Sequence, residues 1–211
     1  MLLPATFITL QFNQYTVQPL VPQPIAVQQW HQQQLSRQVP THVFPYWAKI
    51  WPAAKALTQF LANHPLLLKN KQVLELAAGI GLPSLLAAQI AQQVTCTDYV
   101  PEPLAYVTEA AKQHTNFTTA VLNWNSLPKD LSADVLLLSD VNYEPASFEP
   151  LLQVIHRFLQ QGTTIIISTP QRLMAKPFID ALQPFYMRRQ EIVADAVFCT
   201  VLVLKNQLPN P

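Results

Sequence analysis

The sequence predicts an α/β fold in which helices cover both faces of a mostly parallel sheet. From about residue 73 onward, apolar strand-like runs alternate with helix-like segments, as in chains that build parallel sheets. The runs Val135–Leu138 and Ile165–Ile167 are apolar at every position, which is typical of strands buried on both faces. Only three glycines occur in 211 residues, and Gly79 and Gly81 follow the first of these strands. They mark a tight turn into the next helix.

The pattern predicts each element in turn. The helical spacing over Pro52–Leu61 predicts a helix, with Pro52 suited to its first turn. The predicted strands are Val73–Leu76, Val94–Thr97, Thr119–Leu122, Asp134–Ser139, Thr163–Ser168, Arg188–Val193 and Val197–Leu204. The last two form an antiparallel hairpin that closes one edge of a seven-stranded sheet. Further helices are predicted over Pro83–Ala91, Pro103–His114 and Phe148–Leu159, and the segment Ala175–Leu182 precedes the final hairpin.

A single domain is expected, with residues 1–45 as an N-terminal extension to a core of residues 46–211. The extension is polar and rich in proline. Alternation over Thr6–Leu10 and around Tyr15–Val17 predicts short strands or a hairpin. The Gln-rich stretch Gln28–Gln38 is either helical or loose. No internal repeat or long linker divides the chain.

Charge and cysteine content bear on the class of protein. A net charge of +1 without a run of lysines or arginines argues against a nucleic-acid partner. No apolar run reaches the roughly 20 residues of a membrane span. Cys96 and Cys199 lie in apolar runs, as buried thiols of a cytoplasmic protein do. The five histidines show no metal-ligand spacing, so no metal is expected, and nothing in the sequence indicates an oligomeric state.

The turn at Gly79 and Gly81 is the strongest functional signal. It follows the carboxyl end of a strand, where open α/β sheets bind nucleotides and where backbone N–H groups approach a ligand closely. The alternative is a tight strand-to-helix turn without a ligand. The scarcity of glycine elsewhere in the chain favours the ligand.

Two acidic residues bear on which nucleotide binds. The segment Gly79–Ser84 nearly matches the dinucleotide fingerprint G-x-G-x-x-G/A, with Ser84 in the third place. Glu75, inside the preceding strand, would repel a pyrophosphate but suits a cofactor with an ammonium and a sulfonium. Asp98 ends the next strand, where a carboxylate accepts hydrogen bonds from ribose hydroxyls of either cofactor; the alternative is a helix cap. The residues alone leave NAD open.

The segment Glu75–Gly81 resembles the first motif, E/D-x-G-x-G-x-G, of the class I, Rossmann-like S-adenosylmethionine-dependent methyltransferases. Three further segments, Pro45–Pro52, Leu122–Trp124 and Asp140–Tyr143, are similar to the small protein methyltransferases sometimes called family 16. Those enzymes are mostly lysine-specific and carry a D-x-x-Y motif. The resemblance runs from about Pro45 to Arg172. The chain departs from it at Ala77, where the family has its first motif glycine.

The resemblance implies S-adenosylmethionine as cofactor and a role for each matching residue. Trp51 would line the pocket and offer its ring to the sulfonium in a cation–π contact; the alternative is a core tryptophan. The backbone of Ala77, Ala78 and Gly79 would cradle the amino-acid portion of the cofactor. Asn123 and Trp124 would bracket the adenine, and Ser139 would line the floor by its backbone.

On the acceptor side, the resemblance implies that Asp140 and Tyr143 face the incoming amine. Without the resemblance, the sequence predicts that Asp140 caps a helix and that Tyr143 is a half-buried aromatic. The neighbouring Glu144 has no assigned role. The expected function is methyl transfer to a nitrogen nucleophile, foremost a protein lysine. Three alternatives remain: methylation of a small-molecule amine, an NAD-dependent oxidoreductase, and a catalytically silent module that binds a partner protein.

Overall fold

The structure, a computed structural model, describes residues 2–37 and 44–206. Seven strands of this part build one sheet: β5 (Gln72–Leu76), β6 (Gln93–Asp98), β7 (Phe117–Val121), β8 (Val135–Ser139), β9 (Thr164–Pro170), β10 (Tyr186–Ala194) and β11 (Val197–Leu204). Their order across the sheet is β7-β6-β5-β8-β9-β11-β10. The pairs among β5 to β9 are parallel, and β11 is antiparallel to both β9 and β10. The predicted seven-stranded sheet with its C-terminal hairpin is confirmed.

Helices cover both faces of the sheet. They are α2 (Pro52–Asn63), α3 (Leu82–Ala87), α4 (Glu102–Ala110), α5 (Phe148–Gln160) and α6 (Lys176–Leu182). α2 and α3 pack on one face, and α5 and α6 on the other. Side chains of one strand alternate between the two cores: Val135 and Leu137 face α2 and α3, whereas Leu136 and Leu138 face α5 and α6. This burial on both faces explains the unbroken apolar runs in the sequence.

Two helices end earlier than predicted. α3 ends at Ala87, not Ala91, because the amides of Gln89 and Ile90 donate to carbonyls three residues back, which tightens the chain into a turn. α4 ends at Ala110, not His114, and the amide of His114 donates to Ala111 in the same manner. Both turns return the chain to the sheet for the strand that follows.

The N-terminal segment packs on this core as short strands and one helix. The strands are β1 (Ala5–Phe7), β2 (Leu10–Phe12), β3 (Tyr15–Val17) and β4 (Leu20–Pro22), followed by α1 (Pro24–Ser36). β2 and β3 form the predicted hairpin, and β1 pairs with β4. The Leu3 amide donates to the Tyr106 hydroxyl of α4 at 2.8 Å. The Gln-rich stretch is therefore helical, although Gln38 lies outside the described residues.

The strand order creates a crevice at the carboxyl edge of the sheet. After β5 the chain continues to β6 and β7 on one side, whereas β8 and β9 lie on the other side. The loops after β5 and β8 therefore leave the sheet edge in opposite directions. Open α/β sheets bind their ligands at such a switch point.

Candidate active site

A cavity of about 650 Å³ opens at this switch point. Its lining comes from α1, from the turn before α2 and from the loops after β5, β6, β7, β8 and β9. Eleven of the twelve residues that the sequence assigns to the site line it: Trp51, Ala77, Ala78, Gly79, Gly81, Asp98, Asn123, Trp124, Ser139, Asp140 and Tyr143. The cavity size lies within the range of small-molecule and cofactor sites.

The loop after β5 adopts a left-handed backbone conformation that residues with a side chain rarely adopt. Ala77, Gly79 and Gly81 have φ angles of +53°, +54° and +67°. A Cβ on Gly81 would lie 3.0 Å from the Cys96 sulfur, and one on Gly79 would lie 3.4 Å from the Trp47 carbonyl oxygen. Gly81 therefore serves the close packing of the turn, whereas Gly79 serves its conformation. Ala77 adopts the left-handed conformation with a side chain, at a cost of about 1–2 kcal/mol.

Asp98 braces this loop and still presents its carboxylate to the cavity. One carboxylate oxygen accepts the Gly79 amide at 2.9 Å and the other accepts the Val100 amide at 3.2 Å. Burial raises the pKa of Asp98, and the amides that donate to it oppose that change. A carboxylate offers about four acceptor sites, so beside the amides that donate to it Asp98 keeps acceptor capacity for a ligand hydroxyl. Asp98 does not cap α4, because Pro101 occupies the capping position.

Glu75 requires a correction. We expected its carboxylate to meet the cationic portion of a cofactor, but its side chain is fully buried and lies away from the cavity lining. It points under the start of α3, where one oxygen accepts the Ser84 amide at 3.0 Å and the Ser84 hydroxyl at 2.5 Å. Gly81, the capping residue of α3, has no side chain to accept these donors. Glu75 caps the helix instead, and burial raises its pKa to about 8.

Asn123 and Trp124, which follow β7, both line the cavity. The Asn123 side-chain oxygen accepts the Asn125 amide at 2.9 Å, which fixes the short turn that follows β7. Trp124 packs partly against the core that α5 covers and turns the rest of its ring to the cavity.

The D-x-x-Y loop follows β8 directly. Asp140 has a φ of +53° and forms an ion pair with Arg172, so it does not cap a helix. The fully buried Asn142 accepts the Thr169 hydroxyl at 2.8 Å, which anchors the loop to β9. Tyr143 is about half exposed at the cavity mouth; burial raises its pKa, as do nearby carboxylates, so its hydroxyl stays protonated.

Aromatic rings form the rim of the cavity beside Tyr143. Tyr46 lies 6.1 Å from Tyr143 and 6.4 Å from Trp51 between ring centroids, and the Trp51 indole N–H donates to the Tyr46 carbonyl. Lys49 holds its ammonium 4.1 Å from the centre of the Trp51 ring. That ring therefore already has a cation–π partner from the chain itself.

Sequence reasoning missed Arg172 and the roles of Asn142, Tyr46 and Lys49. Tyr46 and Lys49 stand in the quoted segment before α2, and Asn142 stands inside the D-x-x-Y motif, so their positions were signals that could have been used. Arg172 has no local signal, because its partner lies 32 residues earlier in the chain.

Residues 2–37 and 44–206 contain neither a membrane-spanning helix nor a cluster of metal-ligating side chains. No helix there is both long and apolar enough to cross a membrane. No three His, Cys, Asp or Glu side chains of that part lie close enough together to hold a metal ion.

Known proteins resemble this chain in sequence. Histone-arginine methyltransferase METTL23 of Xenopus laevis is 36% identical over 124 residues, which is 55% of this chain and 53% of that protein. Protein N-lysine methyltransferase METTL21A of Xenopus tropicalis is 31% identical over 134 residues, which is 59% of this chain and 61% of that protein. The chain thus spans little more than half the length of these relatives.

A solved structure and a family model extend the comparison. N-methyltransferase NodS from Bradyrhizobium japonicum, in complex with S-adenosyl-L-homocysteine, has the same fold, with a TM-score of 0.62 at 13% identity. The similarity covers 84% of this chain and 99% of that one. The sequence model of a family described as lysine methyltransferase matches residues 45–185, which is more than half of the chain and includes every residue assigned to the site. The chain therefore belongs to the lysine methyltransferase family.

Proposed function

We propose that this protein transfers a methyl group from S-adenosylmethionine to the side-chain nitrogen of a protein lysine. The observation that carries the choice of cofactor is the contact between Glu75 and the start of α3. A pyrophosphate would need the free N–H groups and the positive end of that helix. Because Glu75 accepts the Ser84 amide and hydroxyl, the third fingerprint position serves the chain itself. A cofactor without phosphate fits this arrangement, and NAD does not.

The residues around the cavity fit such a cofactor. The left-handed backbone of Ala77 and Gly79 would receive its amino-acid portion, Asp98 would accept from its ribose hydroxyls, and Asn123 with Trp124 would flank its adenine; all five residues line the cavity. S-adenosylmethionine supplies an activated methyl group: the acceptor nitrogen forms the new N–C bond while the S–C electron pair stays on sulfur. The protein contributes by placing the acceptor in line with that bond.

The acceptor side suits an amine that has lost its proton. An ordinary lysine has a pKa near 10.4, so deprotonation at pH 7 costs about 4.6 kcal/mol. The aromatic rim of Tyr46, Trp51 and Tyr143 desolvates a side chain that enters between the rings, which lowers the pKa of its amine. The lysine ammonium loses its proton to solvent before the transfer, and the product leaves as a methylammonium. Tyr143 and Asp140 orient the amine and do not remove the proton.

A protein acceptor and a cytoplasmic location complete the proposal. The described cavity opens to the surface through exposed Tyr46 and Tyr143, so a side chain on a protein surface can reach it. Support for a protein acceptor comes from the family and from relatives named as protein methyltransferases. Cys96 and Cys199 are buried free thiols, as the reducing cytoplasm keeps them.

Arginine is the second candidate acceptor. Its support is the relative named as a histone-arginine methyltransferase, which is 36% identical to this chain. The geometry at Asp140 favours lysine over arginine, because Arg172 already binds both carboxylate oxygens. A guanidinium acceptor would have to displace this arginine before it could pair with Asp140.

Radiolabelled S-adenosylmethionine with a cell lysate tests the function directly. We expect label in protein and, after acid hydrolysis, in methylated lysine. Label in methylated arginine would favour the second candidate, and label only in small molecules would refute a protein acceptor. Calorimetric titration should detect S-adenosylhomocysteine binding and no NAD binding, and the reverse would refute the choice of cofactor.

The Asp140→Asn variant tests the acceptor side. The maximal rate of methyl transfer should fall at least tenfold, while affinity for S-adenosylhomocysteine changes less than about threefold, or roughly 0.65 kcal/mol. Asp195→Asn is the matched control, since Asp195 of the C-terminal hairpin pairs with Lys55 of α2. Undiminished transfer by Asp140→Asn would remove Asp140 from the acceptor side.

A further inference from the structure

Arg172 and Asp140 form a closed ion pair in the wall of the cavity. One guanidinium nitrogen donates to one carboxylate oxygen at 2.5 Å, and the other nitrogen donates to the second oxygen at 3.2 Å. The Asp140 side chain is only 10% exposed and that of Arg172 is 30% exposed. A bidentate pair of this kind fixes the carboxylate in position as well as balancing its charge.

Two neighbouring strands hold the pair in place. Ser139 and Ser168 are opposite each other in the parallel pair of β8 and β9. The Asp140 amide then donates to the Ser168 carbonyl at 2.9 Å, one residue past the end of β8. Arg172 follows β9 by two residues and reaches back across the same edge. Asp140 keeps a left-handed φ of +53°, a strained conformation of the kind found at functional sites.

The other charged and titratable groups around Asp140 come from several elements. Tyr143 and Glu144 follow it in the same loop, and Cys199 of β11 interacts electrostatically with both Asp140 and Arg172. The other charged or titratable residues that line the cavity are Tyr46, Lys49, Asp98, Tyr99 and Glu102. Lys49 lies over the Trp51 ring, and Asp98 is held by backbone amides. Arg172 is thus the cation that pairs with Asp140 among these groups.

We propose that Arg172 is a positioning residue that balances the charge of Asp140, so that the site receives the acceptor lysine as a neutral amine. This inference rests on the proposed function. An unbalanced carboxylate beside the acceptor would attract the ammonium form and hold its proton. An opposite charge at 4–6 Å raises the pKa of an amine by about 1–3 units, and each unit lowers the reactive neutral fraction about tenfold. Arg172 cancels that attraction.

The opposite charge changes of the pair lead to opposite shifts in pH dependence. The test measures initial rates of tritium transfer from S-adenosylmethionine into dialysed lysate protein between pH 6.5 and 10. For Arg172→Gln, we expect at least a tenfold loss at pH 7 and a rate midpoint at least one pH unit higher. For Asp140→Asn, which leaves Arg172 unbalanced, the midpoint should move to lower pH, although the maximal rate also falls. The double variant should return to the wild-type midpoint, because the pair is again neutral.

Arg189→Gln is the matched control, since Arg189 pairs with Glu191 on the C-terminal hairpin. It should keep the wild-type rate and midpoint. If Arg172→Gln lowers the rate but keeps the wild-type midpoint, Arg172 is structural only and the inference is wrong. If Arg172→Gln does not fold, Asp140→Asn alone decides: an unshifted midpoint overturns the inference. If the wild-type protein transfers no label, the proposed function fails and this inference fails with it.

Discussion

Replacement of Glu75 by glutamine should make the stability of this protein less dependent on pH. The carboxyl group is fully buried, and among the described residues its second oxygen has no hydrogen-bond partner. Burial therefore raises the pKa of Glu75 from 4.5 to about 8. The folded protein retains this proton at pH values where the unfolded chain releases it. The wild-type protein thus loses stability as the pH rises from 4.5 to about 8.

The structure sets the size of the effect. The difference between 8 and 4.5 corresponds to about 5 kcal/mol once both states are ionised. A glutamine keeps an oxygen for Ser84 and resembles the protonated carboxyl, but it has no proton to lose. Between about pH 5 and 7.5, the free energy of unfolding of the variant minus that of the wild type should rise by about 1.4 kcal/mol per pH unit. Urea unfolding followed by circular dichroism at each pH measures this difference.

A glutamate on the surface provides the control. Glu109→Gln removes a carboxylate that pairs with Lys112 on the exposed side of α4. Its free energy of unfolding should run parallel to that of the wild type over the same pH range. If the Glu75→Gln curve is also parallel to the wild type, Glu75 ionises in the folded protein as it does in the unfolded chain. Our account of its burial would then be wrong.

Three further substitutions test the cofactor loop. Gly81→Ala should lower the melting temperature and the affinity for S-adenosylhomocysteine, because its Cβ would lie 3.0 Å from the Cys96 sulfur. Gly162→Ala is the control and should leave that affinity unchanged, because a Cβ at Gly162 has no atom within 4 Å. Asp98→Asn should weaken calorimetric S-adenosylhomocysteine binding at least tenfold, since charge-assisted hydrogen bonds are worth about 1.5–3 kcal/mol each; unchanged affinity would make Asp98 a loop brace only. Ala77→Gly should raise the free energy of unfolding in urea by about 0.5–1 kcal/mol by relieving the strain of its φ of +53°, and a loss would contradict this.

The sequence predicted the sheet and eleven of the residues that line the cavity because both depend on patterns near the strand ends. Strands buried on both faces have unbroken apolar runs, and the glycine turn and the D-x-x-Y motif directly follow such strands. Since the carboxyl ends of parallel strands meet at one edge, residues after β5, β6 and β8 had to come together there. The effect of Asp98 on the protein without cofactor was less predictable. Its carboxylate accepts the Gly79 and Val100 amides, so its loss should lower the stability of the loop after β5 as well as the affinity for the cofactor.

What the sequence determined by itself was the order of the elements and the residues at the switch point, because strand ends and turn residues are read locally. Only the tertiary structure decided where Glu75 and Arg172 point. Glu75 lies in a strand with two buried faces, so its place in the strand could not show that its partner is Ser84 and not a ligand. Arg172 meets Asp140 because β9 pairs with β8 in one register, a contact across 32 residues that no local pattern encodes. Charge balance in the site therefore depends on strand pairing and not on sequence neighbours.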